Sequence, residues 1–163
     1  MFWGAFSFFR KSELVPLFGH PNSPRGGVNA QRILETLQAQ LPGICDPGSI
    51  FIQDNASTHT AALVQDWLIP WAEEEGVELI DWPPYSPDLN PIENLWKLLK
   101  QEICKRYPEL ADLPKSEASL AFLRRAAVEV WNDFPNELLQ ELVDSMTRRM
   151  AAVEAANGWY TKY

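Results

Sequence analysis

Two acidic residues stand at points of the sequence where a fold can hold a charged group in a fixed place. Asp54 follows the apolar run Ile50–Ile52, which predicts a strand, and Glu93 falls in the first turn of a helix predicted after a proline-rich loop. Strand ends in open α/β sheets are where ligand sites occur. Mg²⁺ prefers hard oxygen ligands such as carboxylates. A shared acid site for a divalent cation is therefore the first hypothesis.

Each acid also has an ordinary structural interpretation. Asp54, followed by Asn55, is typical of a turn in which the side chain accepts a hydrogen bond from the backbone two residues on. Asn90 is a suitable helix cap, Pro91 suits the first helical position, and Glu93 then occupies the third position of a capping box. Spacing alone leaves the site and the turn or cap open for both residues.

Composition places the chain among globular proteins. It has 163 residues, of which 46% are hydrophobic and 22% are charged, enough for one domain with a real core. The net charge of −8 taken alone argues against nucleic-acid binding, which needs Lys and Arg against phosphates. Basic residues nevertheless gather locally, for example at Lys97 and Lys100. No apolar run predicts a membrane span.

The hydrophobic pattern predicts alternating strands and helices. Strands are predicted at residues 1–9, 13–19, 49–54 and 77–82, the first two as a hairpin around a turn, with a loop at 20–27. Helices are predicted from Asn29 to Pro42, from 58 to 75, after the proline-rich loop 83–91, and at 116–132 and 136–156, with a linker at 108–114. This alternation is that of an α/β layer fold.

Two motifs carry a resemblance to a known family. "QDNASTHT" at residues 53–60 and "DWPPYSPDLNPIENLWKLLK" at residues 81–100 resemble the catalytic domain of Tc/mariner-type DDE transposases, and the likeness covers nearly the whole chain. The resemblance implies a ribonuclease-H-like mixed sheet flanked by helices, with extra C-terminal helices. It places a partial catalytic domain at residues 1–107 and a C-terminal helical extension, packed on the same domain, at 108–163.

The same resemblance implies an activity and its residues. It implies metal-dependent DNA cleavage and strand transfer with Mg²⁺ or Mn²⁺, in which Asp54 is the second catalytic acid and Glu93 the third. Asn55 and His59 are possible supporting residues. Trp82, Tyr85 and Trp96 are candidates for stacking on DNA, with core packing as the alternative. Transposon ends and target DNA would be the partners, the nucleus the location, and no membrane would be involved.

The resemblance also indicates what is missing. The first catalytic Asp of the family lies on a central first strand that would precede residue 1, so we expect the chain to be truncated before it. The sheet would then be split, closed across the gap or completed by another chain. One alternative function is a non-catalytic remnant that binds DNA or dimerises, either with itself or with full-length transposase. Another is a different metal-dependent nuclease that uses the same two acids.

Overall fold

The computed structural model describes residues 1–19, 27–159 and 161–163. The loop predicted at 20–27 lies outside the described residues except for Gly27. The described elements, in chain order, are β1 (Phe2–Trp3), β2 (Val15–Pro16), α1 (Ala30–Gln40), β3 (Ile50–Phe51), α2 (Ala62–Glu75), β4 (Glu78–Leu79), α3 (Ile92–Arg106), α4 (Glu117–Asp133) and α5 (Asn136–Ala155).

The predicted N-terminal hairpin is present, but its strands are much shorter than expected. β1 and β2 pair antiparallel, with Phe2 opposite Pro16 and Trp3 opposite Val15. The prediction of one continuous strand over residues 1–9 is wrong. One physical reason is that Pro16 has no N–H to donate, which limits the ladder. Beyond β1 a single bridge joins Phe6 to Lys11 around a tight turn.

The second pair of strands forms a β–α–β unit that carries the Asp54 segment. β3 and β4 pair parallel, and α2 connects them. Gly76 ends α2 with a φ of 68°, a backbone conformation that glycine adopts without steric cost. Although β3 lies in an apolar run of the sequence, Ile50 is 55% exposed. The described strands thus form two separate pairs. The absence of the family's central first strand, which was inferred from the resemblance, stays a prediction.

Helices α1 and α2 build the core beside these strands. The side chain of Asn29 caps α1, accepting a hydrogen bond from Arg32 N at 3.1 Å, as the sequence predicts. Leu37, Leu41 and Val64 have no exposed surface. Burial of each large aliphatic side chain contributes about 1.5–3 kcal/mol. Phe51 of β3, the strand that leads into Asp54, and Leu79 of β4 pack against this core.

The remaining helices pack around a buried tryptophan. Trp131 of α4 is fully buried and donates from Nε1 to the Ser12 carbonyl at 2.8 Å. Its ring stacks on Trp96 of α3, with centroids 5.5 Å apart. Lys11 adds a second link, from Nζ to the Phe134 carbonyl at 2.5 Å. The tip of the N-terminal hairpin is therefore joined to the C-terminal end of α4 by two hydrogen bonds to backbone carbonyls, one from the buried Trp131 and one from the half-buried Lys11.

Contacts divide the chain into two compact units. The first unit comprises Met1–Ala5 and Val15–Ser86, and the second comprises Phe6–Leu14 and Pro87–Tyr163. The domain division between residues 107 and 108 was inferred from the family resemblance rather than from contacts, and it stays a prediction. None of the helices in the described part of the chain combines the length and apolarity needed to cross a membrane.

Candidate active site

Asp54 lies just beyond the carboxyl end of a parallel strand. β3 ends at Phe51, and Ile52 and Gln53 lead from it into Asp54. The partner strand β4 holds the register through Glu78, whose N–H donates to the Ser49 carbonyl at 2.8 Å. This is the edge of an α/β layer at which binding sites form, because the loops that follow parallel strands meet there.

The carboxylate of Asp54 is held through one of its two oxygens. Oδ1 accepts from Ala56 N at 3.2 Å, so the predicted turn is present. The same oxygen lies 2.6 Å from Nδ1 of His59. Oδ2 has no hydrogen-bond partner among the residues that the structure describes. Because 61% of the Asp54 side chain is exposed, Oδ2 is free to bind a ligand from solvent while Oδ1 stays fixed.

His59 sits in a turn that precedes α2 rather than on its first helical turn. The helix begins at Ala62, four residues later than predicted, because the Ala56 carbonyl accepts from His59 N and Thr60 N in a separate turn. Gln65 secures this turn by donating from Nε2 to the His59 carbonyl at 2.7 Å. Nδ1 of His59 is the donor in this contact in the tautomer that carries its hydrogen there, because an ionised carboxylate only accepts hydrogen bonds.

Asn55 links the Asp54 turn to the start of the proline-rich loop. Its Nδ2 donates to the carbonyl of Trp82 at 2.6 Å. Trp82 itself is buried, with 8% of its surface exposed. Asn55 therefore does more than complete the local turn, because it ties together the segments that follow β3 and β4.

Glu93 is in the first turn of α3, as the sequence predicts, and its carboxylate faces solvent. Pro91, predicted as the first helical residue, instead occupies the N-cap position of α3, without a side-chain cap, and Oδ1 of Asn90 accepts from Ile92 N at 3.4 Å. The expected capping box is incomplete, because Glu93 makes no return bond from its side chain. Within the described part of the chain the Glu93 carboxylate has no hydrogen-bond or ion-pair partner. The start of α3 therefore makes no use of the Glu93 carboxylate.

The three candidate stacking aromatics have different surroundings. Trp82 is buried in the first unit, and Trp96 stacks on Trp131 in the second. Tyr85 is 88% exposed and has a φ of 57°, which is uncommon for a residue other than glycine. Tyr85 is therefore the member of this set whose ring is available to a nucleobase.

Asp88, close to Glu93 in sequence, has a structural role. It is buried, and its Oδ2 accepts from the backbone N and the hydroxyl of Thr161 at 3.1 and 2.9 Å. Its backbone carbonyl accepts from Arg149, a buried residue of α5. Asp88 therefore belongs to the scaffold behind Glu93.

Both predicted acids lie among the described residues, and each is exposed. Asp54 belongs to the first compact unit and Glu93 to the second, so their convergence stays a prediction. Over residues 1–19, 27–159 and 161–163, no group of three His, Cys, Asp or Glu side chains is placed to hold a metal ion. The donor set is nevertheless suitable, because both carboxylates keep oxygens free for a hard cation.

Comparison with known protein families identifies a match over more than half of the chain. Residues 24–113 match the family described as DDE superfamily endonuclease. The Tc1 transposase of Caenorhabditis elegans is 39% identical over 116 residues, which are 71% of this chain and 38% of that protein. The Tc3 transposase of the same organism is 32% identical over 97% of this chain and 44% of that protein. The chain thus spans less than half the length of these relatives.

Comparison with solved structures shows the same fold. The Mos1 transposase catalytic domain, solved with raltegravir and Mn, aligns with 99% of this chain and 83% of that one at a TM-score of 0.59 and 22% identity. The Mos1 strand transfer complex aligns with 94% of this chain and 40% of that one at a TM-score of 0.61 and 22% identity. The mixed α/β architecture is therefore similar to that of the Mos1 catalytic domain.

Proposed function

Because the chain belongs to the DDE superfamily endonucleases, and among them to the Tc/mariner transposases, we propose that it contributes Asp54 and Glu93 to metal-dependent DNA cleavage and strand transfer. The proposal rests on the way in which the Asp54 carboxylate is held. Its Oδ1 is fixed by Ala56 and His59, while Oδ2 has no described partner. A carboxylate held in this way is preorganised for a cation.

Mg²⁺ or Mn²⁺ would be held by Asp54 and Glu93, and the relatives support the choice of metal. Catalytic domains of Mos1 have been solved with Mg and with Mn. When bound, two divalent ions supply activation of the attacking oxygen and stabilisation of the leaving oxygen in displacement at phosphorus. The protein's own part is to hold the carboxylates: His59 and Ala56 orient Asp54, Asn55 fixes the segment behind it, and α3 presents Glu93.

DNA is the proposed substrate, as both transposon end and target. Lys97 and Lys100 follow Glu93 at positions four and seven residues later, so the three side chains share one face of α3. Both lysines are exposed and have no ion-pair partner within the described ranges. A basic stripe beside an acidic ligand suits a DNA backbone approaching a metal site, despite the net charge of −8. DNA integration in a eukaryotic cell would place the protein in the nucleus.

A second candidate function is a non-catalytic relative that binds DNA or associates with another copy or with an intact transposase. What favours it is that the described residues gather no three metal-ligating side chains in one place. Two carboxylates hold two cations against their mutual repulsion less well than three. A third acid, from another chain or segment, would then be needed for cleavage.

A nicking assay on supercoiled DNA with Mg²⁺ or Mn²⁺ tests the catalytic proposal. We expect cleavage by the unsubstituted chain assayed alone, and its loss in Asp54→Asn and Glu93→Gln. Asp66→Asn is the matched control, because Asp66 is an exposed acid on α2 and should tolerate the change. Cleavage that persists in both acid variants would overturn the assignment.

The same variants separate the two functions. The non-catalytic function is supported if no metal-dependent cleavage is found and the chain still binds DNA in the presence of a chelator. The Asp54→Asn variant should then bind DNA as well as the unsubstituted chain. Co-purification with an intact Tc/mariner transposase, measured with tagged protein, tests the association independently of cleavage.

A further inference from the structure

Arg149 is a buried cation that is held by neutral acceptors. Only 2% of its surface is exposed, and this burial lowers the pKa of its guanidinium below the usual value because desolvation disfavours the charged form. No carboxylate forms an ion pair with it among the described residues. Burying a charge is costly unless it is well hydrogen-bonded. The contacts that compensate this cost indicate what the residue does.

All three nitrogens of the guanidinium donate hydrogen bonds. Nη1 donates to the Asp88 carbonyl and Nη2 to Oδ1 of Asn94, both at 2.6 Å. Nε donates to Oγ of Ser145 at 2.8 Å, one turn earlier on the same helix. The bond to Ser145 fixes the side chain on α5, and the other two bonds reach the segment that carries Glu93.

The two groups held by Nη1 and Nη2 flank Glu93 in the chain. Asp88 is in the loop five residues before it, and Asn94 is the next residue in the first turn of α3. We propose that Arg149 is a positioning residue: it clamps the loop to the start of α3 and so sets the direction in which the Glu93 carboxylate points. This inference rests on the proposed function of Glu93 as a metal ligand.

Thr161 and Tyr163 cover the hydrogen bonds between Arg149 and the segment that carries Glu93. Thr161 bonds to the Asp88 carboxylate, and the Tyr163 ring lies 4.9 Å from the guanidinium carbon of Arg149. A cation over an aromatic face is attracted by it. Because this covering excludes water, the hydrogen bonds of the clamp are stronger than they would be at the surface.

Arginine is required by the geometry of this clamp. Its planar fork directs two N–H groups in parallel, whereas lysine carries a compact charge on a flexible stem. Arg149→Lys keeps the charge but cannot bridge Asp88 and Asn94 in the same way, and Arg149→Met keeps much of the volume without charge. Leu139→Ala is the control, since Leu139 is fully buried on the same helix and contributes only to packing.

The first measurement is hydrogen–deuterium exchange in peptides covering residues 88–95 and, for comparison, α4. We expect Arg149→Met and Arg149→Lys to accelerate exchange selectively at residues 88–95, where the amide of Glu93 bonds to the Asn90 carbonyl. Leu139→Ala should accelerate exchange in both peptides through loss of global stability. Equal acceleration in both peptides for the Arg149 variants, or none, would refute the clamp whether or not metal binds.

The second measurement is Mn²⁺ affinity by calorimetry at a temperature where every variant is folded. Replacing a residue that orients a metal ligand typically lowers metal affinity on the order of 10- to 100-fold. We therefore expect a loss of this size in Arg149→Met and in Asn94→Ala. The double variant should show no further loss, because both substitutions break the same contact. Unchanged affinity in Arg149→Met, while Glu93→Gln weakens binding, would refute positioning and leave the proposed function standing. Binding that Glu93→Gln leaves unchanged would refute the proposed function instead.

Discussion

Nδ1 of His59 lies 2.6 Å from Oδ1 of Asp54, the same oxygen that accepts the N–H of Ala56. Two donors on one oxygen fix the plane of the carboxylate and direct the other oxygen away from the turn. The ordinary turn and the proposed metal ligand are therefore compatible, because they use different oxygens of one side chain.

Replacement of His59 tests this arrangement. In His59→Ala the Asp54 carboxylate keeps only the bond from Ala56, so we expect Mn²⁺ affinity to fall on the order of 10- to 100-fold. Calorimetric titration measures the change. Thr60→Ala is the control in the same turn, since its hydroxyl makes only a 3.4 Å contact with the Ala56 carbonyl. Equal affinity in His59→Ala and the unsubstituted chain would show that Asp54 needs no support from His59.

Asn55 should matter for stability more than for chemistry. Asn55→Ala removes the donor to the Trp82 carbonyl and leaves that acceptor without its described partner, at a cost of about 1–3 kcal/mol. Urea unfolding measures the loss. Gln38→Ala, at an exposed position of α1, should change stability by less than about 0.5 kcal/mol. If both variants unfold at the same urea concentration, the link between the two segments is energetically unimportant.

Tyr85 should show opposite effects on stability and on binding. Its positive φ is strained for tyrosine, and asparagine tolerates this region better, so Tyr85→Asn should stabilise the chain by up to about 1 kcal/mol. If its exposed ring stacks on a nucleobase, the same substitution weakens binding to single-stranded DNA by about 1–3 kcal/mol. Fluorescence anisotropy measures the binding, and Tyr85→Phe, which keeps the ring, should bind normally. Full affinity in Tyr85→Asn would exclude stacking.

Lys97 and Lys100 should contribute to DNA affinity through phosphate contacts. The double variant with alanine at both positions should bind duplex DNA more weakly, with a salt dependence reduced by about one unit of log–log slope per lysine. Binding measured across a salt series gives this slope. Two alanines placed at Lys105 and Lys115, exposed lysines outside the stripe, serve as the control. The same slope in both double variants would remove the stripe from the DNA interface.

Helices were predictable from the sequence, whereas strand lengths were not. The apolar spacing gives α1, α3, α4 and α5 to within a few residues, because a helix forms its backbone hydrogen bonds internally. A strand depends on partners elsewhere in the chain, so residues 1–9 gave only the two-residue β1. The hydrophobic pattern of a segment does not show at which residue its pairing with another strand ends.

The sequence proposed the two acids and the supporting residues Asn55 and His59, but not the contacts that the supports make. The turn at Asp54 was recognisable from residue type, yet the bond from Asn55 to Trp82 joins residues 27 positions apart and leaves no local signal. The burial of Arg149, by contrast, does have a signal in the sequence. The buried face of α5 contains Leu139, Leu142 and Ser145, which precede Arg149 at helical spacing. This spacing predicts that Arg149 is buried as well.

The hairpin tip has a consequence for how this protein can be divided. Residues 6–14 belong to the same compact unit as α4, and are bonded to it by Trp131 to Ser12, 119 positions apart, and by Lys11 to Phe134, 123 positions apart. A fragment that starts at Pro87 would therefore carry a buried indole N–H with no acceptor, however complete its helices. Any dissection into independently expressed pieces has to supply those nine residues in trans or graft them onto the new terminus.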